Sequence, residues 1–123
     1  MEGKELKHFL VRLRQFNLKH PDWAVLVEGK RDRRALERLG VENVIDLKGR
    51  KFHDVAEYLS ENFRGVVLLT DFDPEGEEIF NKLSRILKGY GLKVDGSFRE
   101  ELRQTGVKFV EKIVEELRRR DGI

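Results

Sequence analysis

Short apolar runs alternate with segments of helical periodicity along most of this chain. The stretches "WAVLVEGK" (23–30) and "VVLLT" (66–70) are continuous apolar runs with β-branched residues, which is typical of strands buried on both faces of a parallel sheet. Two shorter runs, "NVIDL" (43–47) and "LKVD" (92–95), predict a second and a fourth strand.

Between these strands, apolar residues recur at the spacing of a helix. The pattern predicts an N-terminal helix over 4–20, a helix after each of the first three strands, and a C-terminal helix over 105–120. Ser97 and Glu100 have the spacing of a capping box. Alternation of this kind predicts a single α/β domain over 1–123, a three-layer sandwich with a central, mainly parallel sheet of about four strands.

The alternation also predicts where a ligand binds. In open parallel sheets, ligands bind beyond the carboxyl ends of the strands, near the point where the strand order reverses. If the first and third strands are neighbours and the second lies outside the first, Glu28 and Asp71 meet at that point. The basic turn after the second strand opens on the same edge and supplies Lys48, Arg50 and Lys51.

The third strand runs directly into a cluster of carboxylates: Asp71, Asp73, Glu75, Glu77 and Glu78. Carboxylates this close raise one another's pKa unless a helix N-terminus or a bound cation offsets the repulsion. A helix end contributes only about 0.3–1 kcal/mol for each anion, and Asp71 and Asp73 precede the helix. These two side chains can converge on one hard cation, and oxygen-only ligands favour Mg²⁺ or Mn²⁺. A helix cap is the alternative for Asp73.

Composition narrows the classes of function. The chain has no cysteine and three histidines, which excludes disulfides and thiolate metal sites and disfavours zinc. No apolar run approaches the roughly 20 residues needed to cross a bilayer, so we expect a cytoplasmic protein without a membrane partner. Charged residues make up 39% of the chain, which suggests a thermophilic source.

The charges are unevenly distributed. Basic residues outnumber acidic ones over 1–51, and acidic residues outnumber basic ones over 52–100. This asymmetry suits a polyanion that meets a carboxylate-bound cation, with ordinary solvated surface as the alternative.

The motifs "LVEGKRD" and, about 40 residues later, "LLTDFDPEGEE" together resemble the Toprim domain. That module is shared by type IA and type II topoisomerases, bacterial primases and the nuclease that matures 5S ribosomal RNA. Its pattern is Glu-Gly after the first strand and Asp-x-Asp after the third, here Glu28-Gly29 and Asp71-x-Asp73. The resemblance covers roughly residues 23–94.

The resemblance implies a Mg²⁺-dependent nucleic-acid module. Asp71 and Asp73 would coordinate the metal, with Glu75 as a further ligand, and Glu28 would be the general acid or base or a second-metal ligand. Lys30 would face phosphate, its alternative being a solvated surface lysine. The glycines of the two motifs would form structural turns: Gly29 and Gly76. Asp32 also fits the family, although a capping position on the following helix is favoured.

The expected function is Mg²⁺-dependent phosphodiester chemistry, with cleavage of structured RNA favoured over DNA. Neither tyrosine, Tyr58 or Tyr90, has an obvious link to the acidic edge, which disfavours a topoisomerase. The order of motifs also disfavours a haloacid-dehalogenase phosphatase and a response-regulator receiver. The alternative is a non-catalytic, primase-like Toprim module that binds nucleic acid or a partner through basic segments: Lys4, Lys7, Arg14, 48–51 and 118–120. The sequence leaves the oligomeric state undetermined.

Overall fold

Two strands of continuous apolar residues lie at the centre of the molecule in a computed structural model, which describes residues 5–121. Strand β1 (Trp23–Val27) pairs in parallel with β3 (Gly65–Leu69), in a register that places Val27 opposite Leu69. Every residue of β3 is buried, as expected for a strand covered on both faces.

Two shorter strands complete a four-stranded, all-parallel sheet. Strand β2 (Val44–Asp46) pairs with β1 and β4 (Lys93–Asp95) pairs with β3, giving the order β2-β1-β3-β4. The first and third strands are therefore neighbours and the second lies outside the first, which meets the condition for Glu28 and Asp71 to come together. The strand order reverses between β1 and β3, so a ligand-binding crevice is expected at their carboxyl ends.

Helices cover both faces of the sheet. In chain order they are α1 (Leu6–Lys19), α2 (Lys30–Arg38), α3 (Phe52–Asn62), α4 (Pro74–Gly89), α5 (Ser97–Gln104), a 3₁₀ turn (Val110–Lys112) and α6 (Ile113–Asp121). Side chains alternate along β1 and β3, so Val25 and Val67 pack with α1, α2, α5 and α6, whereas Leu26 and Leu68 pack with α3 and α4. The predicted three-layer α/β sandwich is confirmed. Among the described residues, no helix is both long and apolar enough to cross a membrane.

The predicted elements differ from the structure mainly near the two chain ends. The N-terminal helix, predicted over 4–20, extends from Leu6 to Lys19, and Lys4 lies outside the described residues. The helix predicted over 105–120 is shorter, because residues 105–109 form a loop and the 3₁₀ turn leads into α6 at Ile113. The capping box predicted at Ser97 is absent, since Asp95 accepts the hydrogen bonds from the Ser97 hydroxyl and the Phe98 amide.

Candidate metal and nucleic-acid site

The structure brings the two acidic motifs into direct contact. Glu28 follows the last residue of β1, and Asp71 lies two residues beyond the end of β3. The backbone amide of Asp71 donates a hydrogen bond of 2.7 Å to Oε2 of Glu28. Because β1 and β3 are parallel neighbours, residues 43 positions apart in the chain meet at one edge of the sheet.

Contacts from the C-terminal part of the chain fix Asp71 from the other side. The backbone amide of Val110 donates a hydrogen bond of 2.8 Å to Oδ1 of Asp71. The next residue, Phe72, donates through its backbone amide to the carbonyl oxygen of Lys108 at 3.0 Å. The side chain of Asp71 is therefore held by a segment that lies outside both sequence motifs.

Asp73 caps helix α4. Its Oδ1 accepts a hydrogen bond of 2.8 Å from the amide of Gly76, and Pro74 occupies the first helical position. The capping interpretation of Asp73 is thus confirmed. Its assignment as a metal ligand stays a prediction that is compatible with the cap, since the cap engages one of the two carboxylate oxygens.

The two motif glycines differ in what the backbone requires of them. A Cβ atom on Gly76 would lie 2.1 Å from the carbonyl oxygen of Asp71, so only glycine fits there. Gly29 has an extended backbone, with φ of −136°, and a Cβ atom would lie 3.7 Å from the nearest side-chain atom of Asp32. Gly29 lies in the bend between β1 and α2, where a larger residue has room, whereas the backbone at Gly76 requires glycine.

Burial and mutual repulsion raise the pKa of the carboxyl groups at this edge. The pKa of Glu28 is raised to about 7, first by burial and then by the charges of Asp71, Asp32 and Asp73, against the lowering effect of the Asp71 amide. Burial and the charge of Asp71 raise the pKa of Asp32 to about 6. Burial is also the main cause that raises the pKa of Asp71. A cation would offset this repulsion.

Asp32 stabilises the start of α2, as the sequence favoured. Its Oδ2 accepts a hydrogen bond of 2.9 Å from the amide of Gly29, the residue at the N-cap position. Asp32 is buried beside Glu28, so the cap also brings one more negative charge to the site.

Some of the predicted site residues lie around one groove of about 460 Å³. Glu28, Asp71, Lys30 and Lys48 all line it. Gly29 lines it as well, whereas the remaining predicted residues do not: Asp73, Gly76, Arg50, Lys51 and Glu75. Of these, Arg50, Lys51 and Glu75 are exposed. Arg50 and Lys51 end the loop between β2 and α3, with Lys51 at the N-cap position of α3, and Glu75 lies in the first turn of α4.

The donors at the groove fit a hard divalent cation. They are the carboxylate oxygens of Glu28 and Asp71, while Asp73 lies two residues beyond Asp71 and does not line the groove. Each of the three side chains uses one oxygen to accept a backbone hydrogen bond. Among residues 5–121, no three histidine or acidic side chains converge into a ready-made metal cage. Mg²⁺ suits such a site, because it is commonly held by one or two carboxylates while water and substrate phosphate complete its shell.

Sequence reasoning missed two residues at this edge. Arg99 of α5 is buried and donates to the carbonyl oxygens of Thr70 and Asp71, at 3.0 and 2.6 Å. Glu111, in the 3₁₀ turn, also lines the groove, and its charge raises the pKa of both Asp32 and Asp71. No local signal could have identified them, because both reach the site through tertiary packing alone.

Comparison with known proteins agrees with this geometry. The family model of the Toprim domain matches residues 22–96. A UPF0292 protein of Thermococcus sibiricus is 36% identical over 111 residues, covering 89% of this chain and 83% of the relative. A UPF0292 protein of Pyrococcus horikoshii is 38% identical over 111 residues, covering 89% and 80% respectively. Relatives from thermophilic archaea fit the thermophilic source that the composition suggested.

Two solved structures share the fold. A protein from Aquifex aeolicus superposes with a TM-score of 0.81 and 33% identity, covering 89% of this chain and 98% of that one. The Aquifex aeolicus primase, solved as its zinc-binding and RNA polymerase domains, superposes with a TM-score of 0.54 and 20% identity. That match covers 90% of this chain and 31% of the primase, and at this identity it shows a shared fold.

Proposed function

Because the chain belongs to the Toprim domain family and is related to the UPF0292 proteins, we propose that it carries out metal-dependent phosphodiester cleavage on nucleic acid, with structured RNA as the favoured substrate. The observation that carries the proposal is the hydrogen bond between Glu28 and the amide of Asp71, which joins the two acidic motifs at the strand-order reversal.

The predicted site residues have different roles in the proposed reaction. Asp71 and Asp73 would hold the cation through the oxygens that the backbone does not use. When bound, Mg²⁺ or Mn²⁺ supplies positive charge that stabilises the negative charge developing on the phosphate. Lys30 and Lys48 line the same groove and would orient the phosphate.

Glu28 would move the proton. A carboxyl group whose pKa is raised to about 7 exchanges protons readily at neutral pH, which suits a general acid or base. A bound cation would shift that pKa downward, so Glu28 would act as a base in the loaded site.

The experiment uses a labelled RNA hairpin, a single-stranded RNA and a DNA of the same sequence, each incubated with Mg²⁺, Mn²⁺ or chelator. We expect cleavage of the hairpin by the wild type, loss of cleavage in Asp71→Asn, and retained binding without turnover in Glu28→Gln. The matched control is Asp54→Asn, an exposed position on α3 that removes the same charge away from the groove. Cleavage by Asp71→Asn at the wild-type rate would refute the assignment.

A second candidate function is nucleic-acid binding without cleavage. It is favoured by the lack of a ready-made cage of three acidic side chains among the residues that the structure describes. Wild-type protein that binds the hairpin and leaves it intact with both cations would establish this alternative.

A further inference from the structure

A second groove continues the first along helix α2. It has a volume of about 220 Å³ and lies between α2 and the C-terminal segment, where it is lined by Arg38, Ala35 and Val114. Arg31, Arg34 and Glu111 line both grooves, so the two are contiguous. Together they form one channel from the carboxylates at the sheet edge to the C-terminal end of α2.

Three arginines lie on the channel side of α2. Arg31, Arg34 and Arg38 are spaced three and four residues apart, which places them on one face over about 10 Å of helix. All three are exposed. This spacing sets a row of guanidinium groups beside the channel.

The positive charge of this row is largely uncompensated. Of the three, Arg31 forms an ion pair among the described residues, with Glu111 at 3.9 Å, and its side chain is 84% exposed. Within residues 5–121, neither Arg34 nor Arg38 forms an ion pair. An exposed pair as long as that of Arg31 contributes little, so all three guanidinium groups are available to an anion.

The basic run at the end of the chain differs in this respect. Arg119 and Arg120 both pair with Glu116 on the same helix, and Arg120 also donates to the carbonyl oxygen of Thr105. These contacts engage two of the three arginines of the run within the fold. The channel beside α2 is therefore the better candidate for a polyanion than the C-terminal run that the sequence pattern suggested.

We propose that the channel beside α2 binds the phosphodiester backbone of a nucleic-acid strand that passes the carboxylate site, with Arg31, Arg34 and Arg38 as phosphate contacts. This inference rests on the proposed function, because the carboxylate site that the strand would pass contains Glu28 and Asp71 at one end of the channel. Among residues 5–121, no aromatic side chain lines either groove, so the proposed contacts are to the phosphate backbone and include no base stacking.

The test is fluorescence anisotropy with labelled 20-nucleotide probes: single-stranded RNA, single-stranded DNA of the same sequence, and the corresponding duplex. All proteins carry Asp71→Asn, so that cleavage does not contribute. For the variant with Arg31→Gln, Arg34→Gln and Arg38→Gln, we expect binding to weaken at least about tenfold and the slope of log K against log salt to fall by about 2. The corresponding triple lysine variant should bind within about threefold of its parent.

The matched control replaces three exposed basic residues of α4, on the other face of the sheet: Lys82→Gln, Arg85→Gln and Lys88→Gln. It removes the same net charge and should leave the affinity within about threefold. Equal losses in the two triple-glutamine variants would overturn the proposal, as would failure of the parent to bind any of the probes.

The outcomes separate this inference from the proposed function. If the wild type cleaves nothing and the α2 variant still loses binding, cleavage is refuted and the channel stands. If the wild type cleaves RNA and the α2 variant binds like its parent, the channel is refuted and cleavage stands. The three probes show which kind of strand the channel accepts.

Discussion

Glu28 accepts a hydrogen bond from the backbone amide of Asp71 through Oε2. Asp71 accepts one from the amide of Val110 through Oδ1, and Asp73 accepts one from the amide of Gly76 through its own Oδ1. Each of these side chains thus stabilises a local backbone segment with one oxygen. The spacing of the motif residues indicated their chemistry, but the hydrogen bonds that orient them come from residues as far as 43 positions away. At the residue scale, the sequence predicts the identity of the site and the fold supplies its geometry.

The raised carboxyl pKa values predict a pH-dependent stability in chelator. Glu28 has a pKa of about 7 when folded against 4.5 ordinarily, so the folded state binds its proton more tightly. That contribution is fully present below pH 4.5 and is lost as pH rises through 7, at a cost of about 2 kcal/mol after allowance for solvent screening of this half-buried side chain. We therefore expect the Tm in chelator to fall between pH 5 and 8. The fall should be smaller in Glu28→Gln, and an equal fall in both proteins would contradict this origin.

The tight backbone contact at Gly76 predicts an unequal response of the two motif glycines to alanine. Gly76→Ala would force a Cβ atom against the carbonyl of Asp71, and we expect it to lose on the order of 3 kcal/mol of unfolding free energy. Gly29→Ala has room for its Cβ atom and should lose less than about 1 kcal/mol. Urea denaturation measures both. Equal losses would show that the contact at Gly76 relaxes.

At the scale of elements, ion pairs join α4 to α5 beside the loop of residues 70–73 between β3 and α4, called the acidic loop below. Glu77, in the first turn of α4, pairs with Arg99 and Arg103 of α5 at 3.0 and 2.7 Å. The hydrogen bond from Arg103 is the main cause that lowers the pKa of Glu77 to about 2. Two arginines 22 and 26 residues away along the chain therefore stabilise the charge of Glu77, in addition to the helix N-terminus at which it lies. The guanidinium of Arg99 also lies between the rings of Phe72 and Phe80.

The burial of Arg99 predicts that α5 secures the acidic loop. Arg99→Ala would leave Glu77 short of one partner and the carbonyls of Thr70 and Asp71 without theirs, so we expect a loss of about 3–5 kcal/mol in unfolding free energy. Denaturant unfolding gives the magnitude.

Arg103→Ala is the control for that substitution. Its side chain is 40% exposed and Glu77 would keep Arg99, so we expect a loss below about 1 kcal/mol. A loss at Arg99 no larger than the loss at Arg103 would show that the loop holds its conformation without α5.

At the scale of the whole molecule, the C-terminal segment completes both the core and the site. The family model ends at residue 96, yet Val110, Ile113 and Leu117 pack into the same core as β1 and β3. In the same segment, the backbone amide of Val110 donates a hydrogen bond to Asp71, and Glu111 lines the groove. Residues beyond the recognisable module therefore belong to the folding unit of this chain.

Shortening the side chain of Ile113 measures how strongly this segment stabilises the fold. Ile113 is completely buried, and Ile113→Ala should cost about 2–5 kcal/mol through lost burial and the cavity that remains. Ile113→Val, the matched control, should cost about 0.5–1.5 kcal/mol. Thermal and urea unfolding would test both. A cost for Ile113→Ala below that of the valine variant would mean that α6 docks only weakly.

The sequence by itself determined the alternation of strands and helices, the continuous burial of the two central strands, and the presence of Glu28, Asp71 and Asp73 at strand ends. These features depend on local periodicity and on the handedness of parallel crossovers, which neighbouring residues encode. The tertiary structure decided which basic residues face the groove, which glycine is sterically required, and how Arg99, Val110 and Glu111 reach the site. Those outcomes depend on how the helices pack against the sheet, and packing brings together side chains whose separation along the chain carries no periodic signal.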